Sequence, residues 1–99
     1  MVNKNIYIIG IEGAGTSALA LMYKKMGYNV SGSDEGDHFY GDILAKEKIK
    51  VFSKYEVENI KDDIEKVIYS TSIKESNLEL KKARERKIKT ISYPEALAE

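Results

Sequence analysis

Short apolar runs alternate along the chain with segments of helical periodicity. Ile6–Ile9 is a β-branched-rich run closed by Gly10, the pattern of a strand buried on both faces. Over Gly15–Met26, the residues Leu19, Met22, Tyr23 and Met26 recur at helical spacing, and Gly27 marks the stop. Tyr28–Ser33 reads as a second strand. Phe39–Lys48 reads as a helix carrying Ile43 and Leu44, and Ile49–Phe52 as a short third strand. A polar stretch follows, then Val67–Ser70 as a fourth strand. Ser76 stands three residues before Glu79, a capping-box spacing that opens a helix over Leu78–Arg86. Lys89–Ser92 is a fifth strand, and Pro94 suits the first turn of a last short helix, Glu95–Glu99.

Strands separated by helices predict βαβ units and a parallel sheet. Right-handed crossovers then give an α/β fold: a Rossmann-like, doubly wound sheet of about five strands in the order 3-2-1-4-5. Such sheets bind ligands outside the carboxyl ends of their strands, at the switch point between strands 1 and 4. That rule selects three segments: Gly10–Ser17, Gly32–Asp37 and Ser70–Asn77.

Composition narrows the chemistry. A chain of 99 residues fits one domain, with an expected radius of gyration of ~13 Å. Hydrophobic residues make up 42% and charged residues 32%, which is globular rather than disordered. Sixteen basic side chains balance sixteen acidic ones, mixed along the chain, so no basic stripe points to nucleic acid or an anionic membrane. The absence of Cys excludes disulfides, thiolate catalysis and Cys-based metal sites, and a single His excludes a His-rich one. The first apolar run is far too short for a signal peptide or membrane span, and a cytoplasmic location is expected.

The first segment, Gly10-Ile11-Glu12-Gly13-Ala14-Gly15-Thr16-Ser17, joins strand 1 to helix 1. Glycines allow a tight turn and close backbone approach, and the free N–H groups of a helix start favour a phosphate. Gly10, Gly13, Ala14, Gly15, Thr16 and Ser17 are therefore the candidate diphosphate cradle, the last two adding hydroxyl donors. The dinucleotide pattern G-x-G-x-x-G asks for glycine at position 12, where this chain has Glu12. In the second segment, Asp34 lies about 20 positions after the loop, where such folds contact a ribose hydroxyl, and Ser33 adds a hydrogen-bonding group. In the third, Ser70, Thr71, Ser72 and Ile73 face the same crevice. No nucleophile is paired with a base, so no catalytic residue and no metal ligand are expected. His38 reads as a solvated loop residue, and Tyr23 with the methionines of helix 1 as core.

These residues carry a resemblance to the N-terminal domain of the Mur ligase family. The matching words are Ile9–Ser17, Ser31-Gly32-Ser33-Asp34, Ser70-Thr71-Ser72-Ile73 with Asn77 and Glu79, Ala83-Arg84-Glu85-Arg86, and Glu95–Glu99. The resemblance runs the whole length in register. It implies a domain, residues 1–99, that binds the UDP part of UDP-N-acetylmuramate or another UDP-sugar. The diphosphate would fall on Gly13 to Ser17, and the ribose and uracil on Ser33, Asp34 and Ser70 to Ile73. Glu12 and Thr16 depart from the family's usual glycine and methionine. No Gly is followed by Lys, so the ATP-binding P-loop is absent from these residues. The expectation is a binding domain with no cofactor of its own. ATP, Mg²⁺ and the catalytic residues would belong to the remaining ligase domains in cis. There the substrate carboxylate is activated as an acyl phosphate and attacked by an amino acid amine. Competing readings are the NAD-binding half of an oxidoreductase, a ligand-free α/β module, and the equivalent domain of a muropeptide-recycling ligase.

Overall fold

The computed structural model describes residues 4–36 and 40–99. Five parallel strands form one sheet in the order β3-β2-β1-β4-β5. They are β1 (Asn5–Ile9), β2 (Asn29–Ser33), β3 (Lys50–Phe52), β4 (Lys66–Tyr69) and β5 (Lys89–Ser92). Register is continuous: Ile8 lies opposite Gly32 on β2 and Ile68 on β4, and Ile68 lies opposite Ile91 on β5. The helices are α1 (Ala14–Lys25), α2 (Gly41–Lys46), α3 (Leu78–Glu85) and α4 (Tyr93–Ala98), with one 3-10 turn at Val57–Asn59. The expected architecture and strand order hold. Expected element ends move by a few residues, while the proposed helix start at Phe39 and the reading of His38 lie outside the described residues.

The two-residue side-chain period of the strands divides the core in two. On one face Ile6, Ile8, Val30, Ile68 and Ile91 pack against Leu19, Ala20 and Tyr23 of α1, Leu44 of α2 and Ala96 of α4. On the other, Tyr7, Ile9 and Val67 pack against Leu80 and Ala83 of α3 and against Ile60 and Ile64. The Cα radius of gyration is 12.0 Å, close to the expectation from length.

Two local readings are corrected. The cap of α3 is Asn77, whose side chain accepts from the N–H groups of Glu79 and Leu80; Ser76 is one residue too early to reach them. A capping box does occur, at Ser92 and Glu95 of α4. Met22 and Met26 were expected in the core, yet they are 48% and 57% exposed. Only the Leu19–Tyr23 side of α1 meets the sheet, so the apolar stripe is wider than the surface that covers it.

Candidate functional site at the carboxyl ends of the strands

β1 is followed by Gly10, whose φ of +81° turns the chain out of the sheet in a conformation that L side chains rarely adopt. A Cβ at Gly10 would also lie 2.9 Å from the Ser70 Cβ, so the glycine loop and the β4 loop are in direct apposition. The loop then runs into α1 through Gly13, which caps the helix without a side-chain hydrogen bond. Helices α3 and α4 are capped by their own Asn77 and Ser92. The N–H groups of the first turn of α1 therefore await an acceptor from outside the helix. Gly13 and Ala14 are exposed and Gly15 half-buried. An anion reaching them meets backbone N–H groups at the positive end of a twelve-residue helix.

The hydroxyls expected beside them do other work. Thr16 Oγ1 donates to the Gly10 carbonyl at 2.6 Å, and Ser17 Oγ donates to the Ala14 carbonyl at 3.1 Å. Both side chains are buried, and their protons close the loop rather than face the crevice. Gly10 is buried as well, so its contribution is the turn.

Three consecutive loop N–H groups fasten to the end of β2. Gly10 and Ile11 donate to the Ser33 carbonyl at 2.8 and 3.0 Å, and Glu12 donates to Asp34 Oδ2 at 2.9 Å. The other Asp34 oxygen accepts from the Gly36 N–H at 2.8 Å. The carboxylate expected at a ribose thus braces the glycine loop in this structure while remaining half-buried at the crevice. Ser33 is placed differently from expectation. It is 0% exposed, and its Oγ donates to Glu79 Oε1 at 2.5 Å in the core. Glu12 is only 5% exposed, so its carboxylate does not extend freely into solvent.

Opposite the glycine loop, Thr71 and Ser72 are exposed, and Ser70 Oγ lies 3.2 Å from Ser72 Oγ. Ile73 turns back beneath Gly10, its side chain 3.5 Å from where a Cβ there would stand. Two tyrosines that the sequence did not single out join the rim. Tyr93 packs its hydroxyl against Gly15, where a Cβ would come within 2.5 Å of it. Tyr55 donates its N–H to Glu35 beside Asp34; burial, then the charge of Asp34, pushes its phenol above the ordinary value.

Two grooves lie elsewhere. One of about 290 Å³ is lined by Asn5, Asn29, Lys50 and Asn59, and another of about 420 Å³ by Met22, Met26, Tyr28 and Leu97. Both draw on residues at the amino ends of strands, and neither includes a residue of the three loops. Parallel α/β sheets bind ligands at the opposite end, which makes the open crevice among the loops the candidate site. Among the described residues, no group of three or more His, Asp or Glu could hold a metal ion, and no helix is long and apolar enough to cross a membrane.

A glycine loop at the switch point of a five-stranded parallel sheet, opening an uncapped helix, defines an α/β domain of the Rossmann-like class. The chain belongs to the Mur ligase family: the model of the "Mur ligase family, catalytic domain" matches residues 5–99. It is 43% identical over 94 residues to a UDP-N-acetylmuramate–L-alanine ligase of Bradyrhizobium diazoefficiens, covering 95% of this chain and 20% of the relative. It is 45% identical over 94 residues to the enzyme of that name from Campylobacter jejuni, covering 95% and 22%. The chain spans about a fifth of the length of these relatives. Its fold superposes on UDP-N-acetylmuramate–alanine ligase MurC of Thermotoga maritima with a TM-score of 0.88 at 27% identity, covering 94% of this chain and 21% of that one.

Proposed function

We propose that residues 1–99 are the nucleotide-sugar-binding domain of an ATP-dependent UDP-N-acetylmuramate–L-alanine ligase, and that the crevice grips the UDP moiety. The observation that carries this reading is the uncapped start of α1 behind a glycine loop. The N–H groups of Ala14 and Gly15 face a diphosphate, with Gly13 exposed beside them and Thr16 and Ser17 holding the loop shut beneath. The ribose and uracil extend along Asp34 and the Ser70–Ile73 loop, whose Thr71 and Ser72 are exposed. The names of the relatives supply the substrate class. ATP and Mg²⁺ enter with the remaining domains of the longer ligase, where a carboxylate is activated as an acyl phosphate and condensed with an amine. Peptidoglycan precursor synthesis in the cytoplasm is the setting of this proposal.

Calorimetric titration of the 99-residue chain with UDP, UDP-N-acetylmuramate and NAD tests it. UDP and the UDP-sugar should bind with dissociation constants weaker than about 1 μM, that is, less than ~8 kcal/mol, because only one wall of the site is present. NAD should not compete. Tighter binding of NAD than of UDP would reassign the domain to a dinucleotide enzyme.

A further inference from the structure

Glu79 is a carboxylate at 0% exposure in the first turn of α3, in contact with neither the crevice nor solvent. Four donors converge on it. Tyr7 Oη and Ser33 Oγ donate to Oε1 at 2.9 and 2.5 Å, and Asn59 Nδ2 and the Glu56 N–H donate to Oε2 at 2.7 and 3.0 Å. These donors come from β1, β2 and the segment around the 3-10 turn, so one side chain ties three parts of the chain to α3. Burial, reinforced by the charge of Glu79, pushes the Tyr7 phenol well above its ordinary value.

The consequence reaches the crevice through Ser33. Its hydroxyl is held by Glu79, while its carbonyl receives the N–H groups of Gly10 and Ile11. The next residue, Asp34, receives the N–H of Glu12. The height of the glycine loop above the sheet is therefore set by the end of β2, and that end is set by a carboxylate on the far face. We infer that Glu79 is a positioning residue for the anion-binding loop, acting through Ser33 and never touching the ligand. This rests on the reading of that loop as the diphosphate site.

The chemistry of the four donors separates this role from simple core packing. Asn59 Nδ2 and the Glu56 N–H can only donate, whereas the two hydroxyls can rotate and accept. In Glu79→Gln the amide oxygen faces Asn59 and Glu56 and its NH₂ faces Tyr7 and Ser33, so the network survives. Glu79→Leu removes all four bonds while keeping the volume similar. Leu80→Ala, at the adjacent fully buried position, destabilises α3 without touching Ser33.

The experiment combines residue-resolved amide hydrogen exchange with UDP titration of the 99-residue chain. Glu79→Leu should speed exchange at Gly10 and Ile11 by about tenfold more than at the β4 amides, a local opening of the loop. UDP affinity should fall by about tenfold, the loss of one hydrogen bond's worth of preorganisation. Ser33→Ala should move both readouts in the same direction by less. Glu79→Gln should keep both within a few-fold of the parent, and Leu80→Ala should lower the melting temperature without selecting Gly10 and Ile11. Selective loop opening in Glu79→Leu and Ser33→Ala supports the assignment. Uniform exchange in both, or the same loop opening from Leu80→Ala, overturns it. Should Glu79→Leu fail to fold, the contrast between Ser33→Ala and Glu79→Gln decides the question. A parent chain that does not bind UDP refutes the proposed function, and the exchange pattern still decides whether Glu79 positions the loop.

Discussion

Replacing Gly10 with Ala tests the structural basis of the site most directly. Two independent penalties apply. The φ of +81° costs a residue with a Cβ about 1–2 kcal/mol relative to glycine. The new Cβ would also stand 2.9 Å from the Ser70 Cβ, far inside ordinary contact, and relieving such crowding in a packed region costs about 1–3 kcal/mol. Gly27 separates the two terms. Its φ is +97°, yet a Cβ there meets nothing within 4 Å, so Gly27→Ala carries the conformational cost alone. The expected losses are about 1–2 kcal/mol for Gly27→Ala and about 2–5 kcal/mol for Gly10→Ala. For a domain of this size each 1 kcal/mol lowers the melting temperature by roughly 4–8 °C, so the two variants should be resolved by scanning calorimetry or thermal circular dichroism. UDP binding should weaken in Gly10→Ala and stay unchanged in Gly27→Ala, since only the former displaces the N–H bonds to Ser33. Equal melting temperatures for the two variants would refute the reasoning. They would show that the Ser70 loop gives way freely and that apposition of the two loops is not a constraint.

Other outcomes follow from the crevice and its supports. Asp34→Ala should weaken inorganic pyrophosphate by about tenfold, because the carboxylate braces the Glu12 and Gly36 N–H groups, and UDP by more, because the ribose contact is lost with it; calorimetric losses confined to UDP would show that the bracing bonds do not hold the loop. Glu12→Gly should tighten UDP binding a few-fold. A buried charge ~6 Å from a diphosphate repels it by roughly 1–3 kcal/mol at an effective dielectric of ~20–40, and the added freedom of glycine offsets about 0.5–1 kcal/mol of that. The gain should shrink in titrations at raised salt, and weaker binding would make the carboxylate a ligand contact. The Ser92 N–H and hydroxyl hold the Glu95 carboxyl below the ordinary glutamate range. A depressed folded value means stability that is present above the ordinary glutamate range and lost as pH falls through the folded value. Parent and Glu95→Gln should therefore differ in melting temperature at pH 7 and converge near pH 3, with parallel curves refuting the linkage.

Much of the crevice was legible because its parts are local. The sequence from Ile9 to Ser17 places a strand end, a glycine turn and a helix start within nine residues, and an anion site at a helix start needs nothing more distant. Ser33 was misplaced because its partner lies 46 residues away. A serine at a strand end is equally suited to face a ligand or the core, and only the arrival of α3 decides between them. Glu79 carried a faint signal: it stands four residues before Ala83, on the face that Leu80 and Ala83 bury. A glutamate in a first turn is nonetheless read as a cap partner, since a buried carboxylate is tolerable only when donors surround it. Those donors come from three distant segments.

The chain's own pattern determined the strands, the helices between them, the order β3-β2-β1-β4-β5 and the end of the sheet where the glycine loop lies. Each of these follows from short-range periodicity, glycine stereochemistry and the handedness of crossovers, all of which act within one βαβ unit. The tertiary structure alone decided that Met22 and Met26 stay outside the core, that the Thr16 and Ser17 hydroxyls close the loop, and that Ser33 turns away from the crevice toward Glu79. These outcomes depend on which surfaces meet after the helices dock, and on how many donors a buried oxygen must satisfy. No single segment holds that information, because the partners become neighbours only once the sheet is covered on both faces.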